Sequence, residues 1–565
     1  MERLLALGPP RPFLLGPEGR EVTDETLQER HFEVHGRPVE LRPPINWRQD
    51  PHESRSWCYQ LHALTWLKPT LRMYADSGSR EALAVGVETV ADWVSVHLDE
   101  PAEISEFAWY DMAVSQRAPT IAYVLRASLG EDMLDREQAF ALLSACNRHG
   151  DELADDSKYF ADHNHGLAQD EGLYLLARQI PTLPAARAWS ELATGRLRRT
   201  LKATICEKEG NHLEHSTEYQ FAITRMVSRL VDTMSELPGM RELLDRLRQT
   251  TAWHVLPTGR LAQLGDTDDT PADRWAVKAA SQLRGLKVLP QTGYSFVRDG
   301  GSYLAVSAGY HSSAHKHSDD TGFILAEGGQ VLLGDAGRWG YYEDEPDRLY
   351  ARSAFAHNVV TVDDRDFGWR ESEPYGSGLL AAGEGDGWYA ILVTNPLLGQ
   401  QGVGHRRLLL YRPGELLVVI DDVRAEKPHD YARRFHFGPA FEARLDEQGR
   451  VVVGGENLEA TLTDPADDTE VTLARGRDEP TRLGWTYPSD RKRLRVWTAT
   501  LRSRAADATL VATLRLGKVE GDPAVTRAAI DAERAVVELA EGTIEVRFVP
   551  GQRQAEVHTG APQPA

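Results

Sequence analysis

The chain is predicted to be an α+β protein of more than one domain, with helices first and antiparallel sheets second. Three observations carry this. Between about Trp57 and Leu283, apolar residues recur at i, i+3, i+4 and i+7, the helical period. After about Pro290 the pattern changes to short alternating runs broken by Gly, Asp and Pro. The two patterns do not interleave, so two cores are expected rather than one mixed α/β core. At about 150 residues per domain, 565 residues allow three to four domains, or two large ones.

Residues 1–50 are Pro-rich and irregular, an arm or small lobe with one strand-like piece at HFEVHGRPVEL. Residues 51–287 form the helical region. YQLHALTWLKPTLRMYAD, REALAVGVETVADWVSVHL, REQAFALLSACNRHGDEL and STEYQFAITRMVSRLVDTM each show the helical stripe. The spacing predicts roughly eight to eleven helices, and their short connectors favour antiparallel neighbours. Residues 288–565 form the sheet region, with room for a subdivision near 440. GFILAEGGQVLLGDAG is expected as a strand ending in Asp335, and HNVVTVDD as another opening at His357. The YRPGE and AEGT turns mark hairpins. Many short strands at close spacing predict an antiparallel β-sandwich or stacked sheets. The polar tail after Pro550 is expected to fray.

Charge and cysteine usage exclude several classes. Lys+Arg total 64 and Asp+Glu 85, a net charge of −21. That field disfavours nucleic acid and anionic membrane surfaces, and an anionic substrate would need a local basic cleft. Cys58, Cys146 and Cys206 are isolated, with no CxxC pair. Neither a disulfide framework nor a thiolate zinc site follows. MERLLALGPPRPFLLG has no basic n-region, long apolar core or small-residue cleavage site, and no apolar run approaches 18 residues. A cytoplasmic protein with no membrane partner is expected. The oligomeric state is open, a homodimer included.

Three polar clusters could carry chemistry. Asp162-His163-Asn164-His165-Gly166 puts hydrogen-bonding side chains in a row. It also suits a solvated helix start, with Asn and Asp capping GLAQDEGLYLLARQI. Asn211 to Tyr219 reads NHLEHSTEY, and Ser216 and Tyr219 share a helix face one turn apart. Ser216 or Thr217 equally suits an N-cap. A tyrosine works as acid or base where its neighbours tune it. The third cluster is the most informative: His311, His315, Lys316, His317, then Asp335, then His357. An H-x-H pair, a strand-end Asp and a His opening the next strand suit Zn²⁺, while loop histidines on a solvated rim are the alternative. Trp109-Tyr110-Asp111 with Arg117 is an aromatic and basic stretch, and Arg352 precedes His357. Such groups stack on sugars and bind acid groups, and packing explains the aromatics equally well.

In order along the chain, NWRQDP, SRSWCYQLHALTWL, DHNHG, NHLEHSTEYQ, HKHSDDTGFILAEGGQVLLGDAG and RLYARSAFAHNVVTVDD resemble the heparinase II/III-like polysaccharide lyases over roughly residues 45–440. The last two are the most specific. The resemblance implies an incomplete (α/α) toroid followed by antiparallel sheets. It implies cleavage of uronic-acid-containing polysaccharides or oligosaccharides by β-elimination. It assigns Asn164 and His165 to the uronate carboxylate, Tyr219 as catalytic tyrosine and His315 as catalytic or substrate-binding histidine. It assigns His317, Asp335 and His357 to zinc, with no organic cofactor. A second family tyrosine follows the zinc Asp; Tyr341, Tyr342 and Tyr350 compete for it, and Tyr342 is preferred. Tyr110, Arg117, Glu214 and Arg352 are the substrate-binding candidates. Two other readings stay open: an (α/α) glycoside hydrolase using acids such as Asp111 and Glu214, and a non-catalytic carbohydrate-binding protein associated with exopolysaccharide biosynthesis.

Overall fold

The computed structural model describes residues 4, 6–10, 22–98, 105–161, 163–231, 238–517, 525–540 and 542–560. The chain divides into two compact units: Met1–Thr204 with Ser228–Met240, and Ile205–Val227 with Arg241–Ala565. Among the described residues, ten α-helices lie between Arg55 and Ala280, and antiparallel sheets follow.

In the first unit, a hairpin pairs His31–Val34 with Arg37–Glu40. Several helices begin where polar side chains satisfy free N–H groups. Ser54 accepts from Trp57, Ser79 from Ala82, and Asp135 forms a capping box with Gln138. The helix Asp111–Gly130 is buried nearly all round, from Ala113 to Ser128. An apolar circumference of this kind is sequestered on every side. The helix Asn164–Gln179 packs closely on it: a Cβ on Gly172 would lie 2.3 Å from the Ser115 carbonyl oxygen. None of the described helices is long and apolar enough to cross a membrane.

The second unit carries four main sheets. The five-stranded sheet runs Gln330–Leu333, Gly322–Glu327, Ser302–Ser307, Tyr294–Asp299 and Gly285–Leu289. GFILAEGGQVLLGDAG is thus a hairpin rather than one strand. Gly328 and Gly329 turn it with φ of 56° and 75°, values that side chains with a Cβ rarely adopt. An eight-stranded sheet follows, centred on the pair Val403–Arg412 and Leu416–Ala425. Its alternate residues enter two cores. Leu409 and Tyr411 pack with the other large sheets, whereas Leu408 and Leu410 pack under the C-terminal meander. Burial on both faces explains why this stretch is apolar without alternation. The meander ends in Ala555–Gly560, which pairs with Gly542–Phe548. The segment expected to fray is therefore held by ladder hydrogen bonds as far as Gly560.

Candidate active site

In the second unit, six of the sequence-predicted residues, Glu214, Tyr219, His315, His317, Asp335 and His357, converge with their neighbours. At the start of the helix Thr217–Leu230, Ser216 Oγ accepts from the Tyr219 N–H at 3.4 Å and donates to the Asp266 carbonyl at 2.7 Å. The cap and the shared face are therefore one feature. The Tyr219 ring stacks on His315, with centroids 3.6 Å apart and planes 18° apart. Its hydroxyl meets the Tyr341 hydroxyl at 2.8 Å, and Arg338 donates to the Tyr341 hydroxyl at 2.9 Å. Tyr341 is thus the second tyrosine of the cluster. Tyr342, the one preferred from sequence, lies under the Arg491 guanidinium at 4.0 Å, and Tyr350 is packed in a core. Burial and the adjoining Tyr341 phenol push Tyr219 well above the usual phenol range.

His315 lies between two carboxylates, and one of them holds it. Its Nδ1 lies 3.0 Å from Asp266 Oδ2, and its Nε2 lies 3.6 Å from Glu214 Oε2. Glu214 and His212 are buried, and neither side chain finds a hydrogen-bond partner among the described residues. His315 has a left-handed backbone, φ 57°. Gly265 makes the approach possible: a Cβ there would lie 2.3 Å from the His215 carbonyl and 3.0 Å from that of His315. The buried Lys316 ammonium binds Asp319 at 2.5 Å and Asp320 at 2.9 Å, pinning the loop between His315 and His317.

His317, Asp335 and His357 come together, with one ligand atom of each within 4.8 Å of the others. Both imidazoles are fully buried, and His317 Nδ1 and His357 Nε2 have no hydrogen-bond partner among the described residues. Orphaned ring nitrogens beside a carboxylate are what a metal site requires, so these residues could hold a metal ion. Asn358 fixes the segment. It donates to the Phe323 and Gly334 carbonyls at 2.8 Å and accepts from the His436 N–H at 2.7 Å. His357 itself follows a short 3-10 turn, and the strand opens at Val360 rather than at His357.

No residue pattern singles out Asp266, the hub of the cluster. Asp266 Oδ1 lies 2.9 Å from His317 Nε2, and the Arg348 guanidinium spans both carboxylate oxygens. Burial opposes its charge, but hydrogen bonds from His315 and His317, with Arg348, hold its carboxyl well below the usual range. It sits in GDTDDT, which reads as an ordinary acidic turn. Arg352 does not offer its charge: Nη1 binds Glu343 at 2.5 Å, and the guanidinium lies 4.8 Å over the Trp369 ring.

The remaining candidates lie in the first unit. His163 caps the helix Asn164–Gln179, its Nδ1 accepting from the His165 N–H at 3.2 Å, so the cap is neither Asn nor Asp. Asp162 lies outside the described residues. His165 Nδ1 is 2.7 Å from Asp111 Oδ2, and the Tyr110 ring meets the His165 ring edge-on at 6.0 Å. Asn164 Oδ1 is buried with no hydrogen-bond partner among the described residues. Arg117 departs from its expected role. It is wholly buried, donates to His149 at 2.9 Å and to the His62 and Ala108 carbonyls at 2.6 and 2.7 Å, and stacks on Trp93. Its donors serve the interior and cannot also bind a substrate acid group.

Comparison with known proteins adds two findings. The profile described as Heparinase II/III N-terminus matches residues 16–246, and that described as Heparinase II/III-like, C-terminal, matches residues 281–520. No curated protein sequence matches the chain. Among solved structures, a heparinase III crystal structure is similar at TM-score 0.73 and 16% identity, covering 99% of this chain and 92% of that one. The heparan sulfate lyase HepC from Pedobacter heparinus is similar at TM-score 0.69 and 16% identity, covering 100% and 93%. At that identity the likeness establishes a shared fold.

Proposed function

The chain belongs to the heparinase II/III-like family, and on that premise we propose that it is a polysaccharide lyase cleaving uronate-containing glycans by β-elimination. The observation that carries this is the stacked Tyr219–His315 pair with the Tyr341 hydroxyl against Tyr219. Elimination needs a base at C5 and an acid at the leaving O4. The C5 proton is a poor acid because the adjacent carboxylate is already negative. Tyr219, held as a phenol by its surroundings, supplies the proton to O4. His315 takes the C5 proton, the C5–H electron pair forms the C4=C5 bond, and the C4–O bond breaks. Asn164 and His165 are assigned to the uronate carboxylate, where donors stabilise the enolate-like transition state. Tyr341 joins the site in place of Tyr342.

The metal is proposed to be Zn²⁺, which two neutral imidazoles and a carboxylate suit. When bound, it supplies a fixed positive charge that orders the loop presenting His315. The substrate is proposed to be a glycosaminoglycan or related uronate polymer. Heparan sulfate, named for a structurally similar enzyme, heads the panel to be tried, followed by hyaluronan, alginate and glucuronan. The test is ultraviolet absorbance of the unsaturated uronate product. Tyr219→Phe should lower turnover by roughly 10²–10⁴ while leaving the protein folded. A saturated new non-reducing end would instead identify a hydrolase, and silence across the panel would refute the lyase reading.

A further inference from the structure

We propose that Asp266 is a positioning residue whose single carboxylate fixes the ring orientation and proton placement of both His315 and the metal-site residue His317. The inference deepens the lyase reading and rests on it only for the role of His315. Three contacts carry it. Asp266 Oδ2 meets His315 Nδ1 at 3.0 Å, and Oδ1 meets His317 Nε2 at 2.9 Å. Arg348 lies across both oxygens. Asp266 and Arg348 are each almost entirely buried.

An ionised carboxylate only accepts hydrogen bonds, so each contacting ring nitrogen must carry the proton. The two rings present different nitrogens to it. His315 therefore holds its proton on Nδ1 and, with Glu214 Oε2 beyond hydrogen-bond distance at 3.6 Å, keeps the Nε2 lone pair for a substrate proton. His317 holds its proton on Nε2 and keeps the Nδ1 lone pair for a metal, and Nδ1 is the nitrogen left without a partner among the described residues. Outer carboxylates of this kind orient metal-binding histidines and set which nitrogen binds. Here the same carboxylate also orients the proposed base. A merely structural Asp266–Arg348 pair would explain the burial, but not two imidazoles converging on it through opposite ring atoms. The metal site and the proposed base are thereby coupled: a displacement of His317 is carried to His315 through one side chain.

Two measurements test this. In the wild-type protein with ¹⁵N-labelled histidine and bound zinc, His315 should show the Nδ1–H tautomer. His317 should show the Nε2–H tautomer with its Nδ1 metal-bound. His315→Gln and His317→Gln spectra assign the signals. Either ring in the opposite state overturns the proposal. In Asp266→Asn, the amide keeps the shape but has one acceptor oxygen, so it serves only one histidine. Zinc affinity, read by chelator competition, should fall by about 10- to 100-fold, or kcat should fall at least about tenfold with KM nearly unchanged. Zinc affinity and kcat both within about twofold of wild type would overturn it. If no glycan is cleaved, the lyase reading fails, while the tautomers and the zinc affinity still decide the role of Asp266.

Discussion

Two buried arginines show how differently the two units use the same side chain. In the first unit, Arg117 meets no carboxylate among the described residues. It is satisfied by two backbone carbonyls, a neutral His149 and the face of Trp93. Burial and the adjacent Arg117 keep His149 far below the usual histidine range, so its Nε2 stays an acceptor. In the second unit, Arg348 forks onto Asp266, which also receives His315 and His317. One arginine closes a set of orphan carbonyls, including that of Ala108 beside Trp109 and Tyr110. The other charges a carboxylate that aims two imidazoles. A buried arginine is thus a scaffold or part of the chemistry according to whether its partner has acceptor capacity left for a third group.

Breaking the two sets separately should give opposite signatures. The largest expected effect is His315→Ala, a loss of kcat of roughly 10³ with little change in stability. Next comes Asn164→Ala. The amide stands at the first turn of a 16-residue helix, where the dipole already favours an anion. Removing it should lower kcat/KM by about 10² for a uronate substrate. Arg117→Met should act on the fold instead. It strands the His62 and Ala108 carbonyls while relieving the burial of a charge, so the net loss is about 2 kcal/mol. Urea unfolding would read that loss, and kcat per folded molecule should hold. A selective rise in KM for Arg117→Met would reverse the comparison and place Arg117 on the substrate.

The same contrast explains what could be read from the sequence. The order of helices before sheets followed from periodicity alone, since a core-facing helix and a strand differ in period. His317, Asp335 and His357 were legible because their residue types are rare together and their spacing is informative. Asp266 was not, because one acid among 85 Asp and Glu carries no signal until the chain brings it to two imidazoles. Arg117 misled for the complementary reason: an arginine among aromatics looks the same whether it faces a sugar or an interior. Tyr341 and Tyr342 are adjacent, and which one meets Tyr219 depends on the loop path, set in part by Arg491 over the Tyr342 ring. The GG turn at 328–329 was visible, but a continuous apolar run masked it as one strand.

Arg352→Ala should have the smallest effect, and it sharpens the boundary of the cluster. Its guanidinium is held by Glu343 and by the Trp369 face, and its side chain is only 11% exposed. Glu343 is about half exposed and also lies 3.2 Å from Arg370 and 3.4 Å from Arg348. Removing Arg352 therefore leaves Glu343 with two cations, and solvent screens what remains. The lost stacking contributes about 1 kcal/mol, and KM should change by no more than about threefold. If KM instead rises tenfold or more at unchanged stability, Arg352 leaves Glu343 to meet the substrate. The basic side of the site would then extend beyond the residues that Asp266 organises.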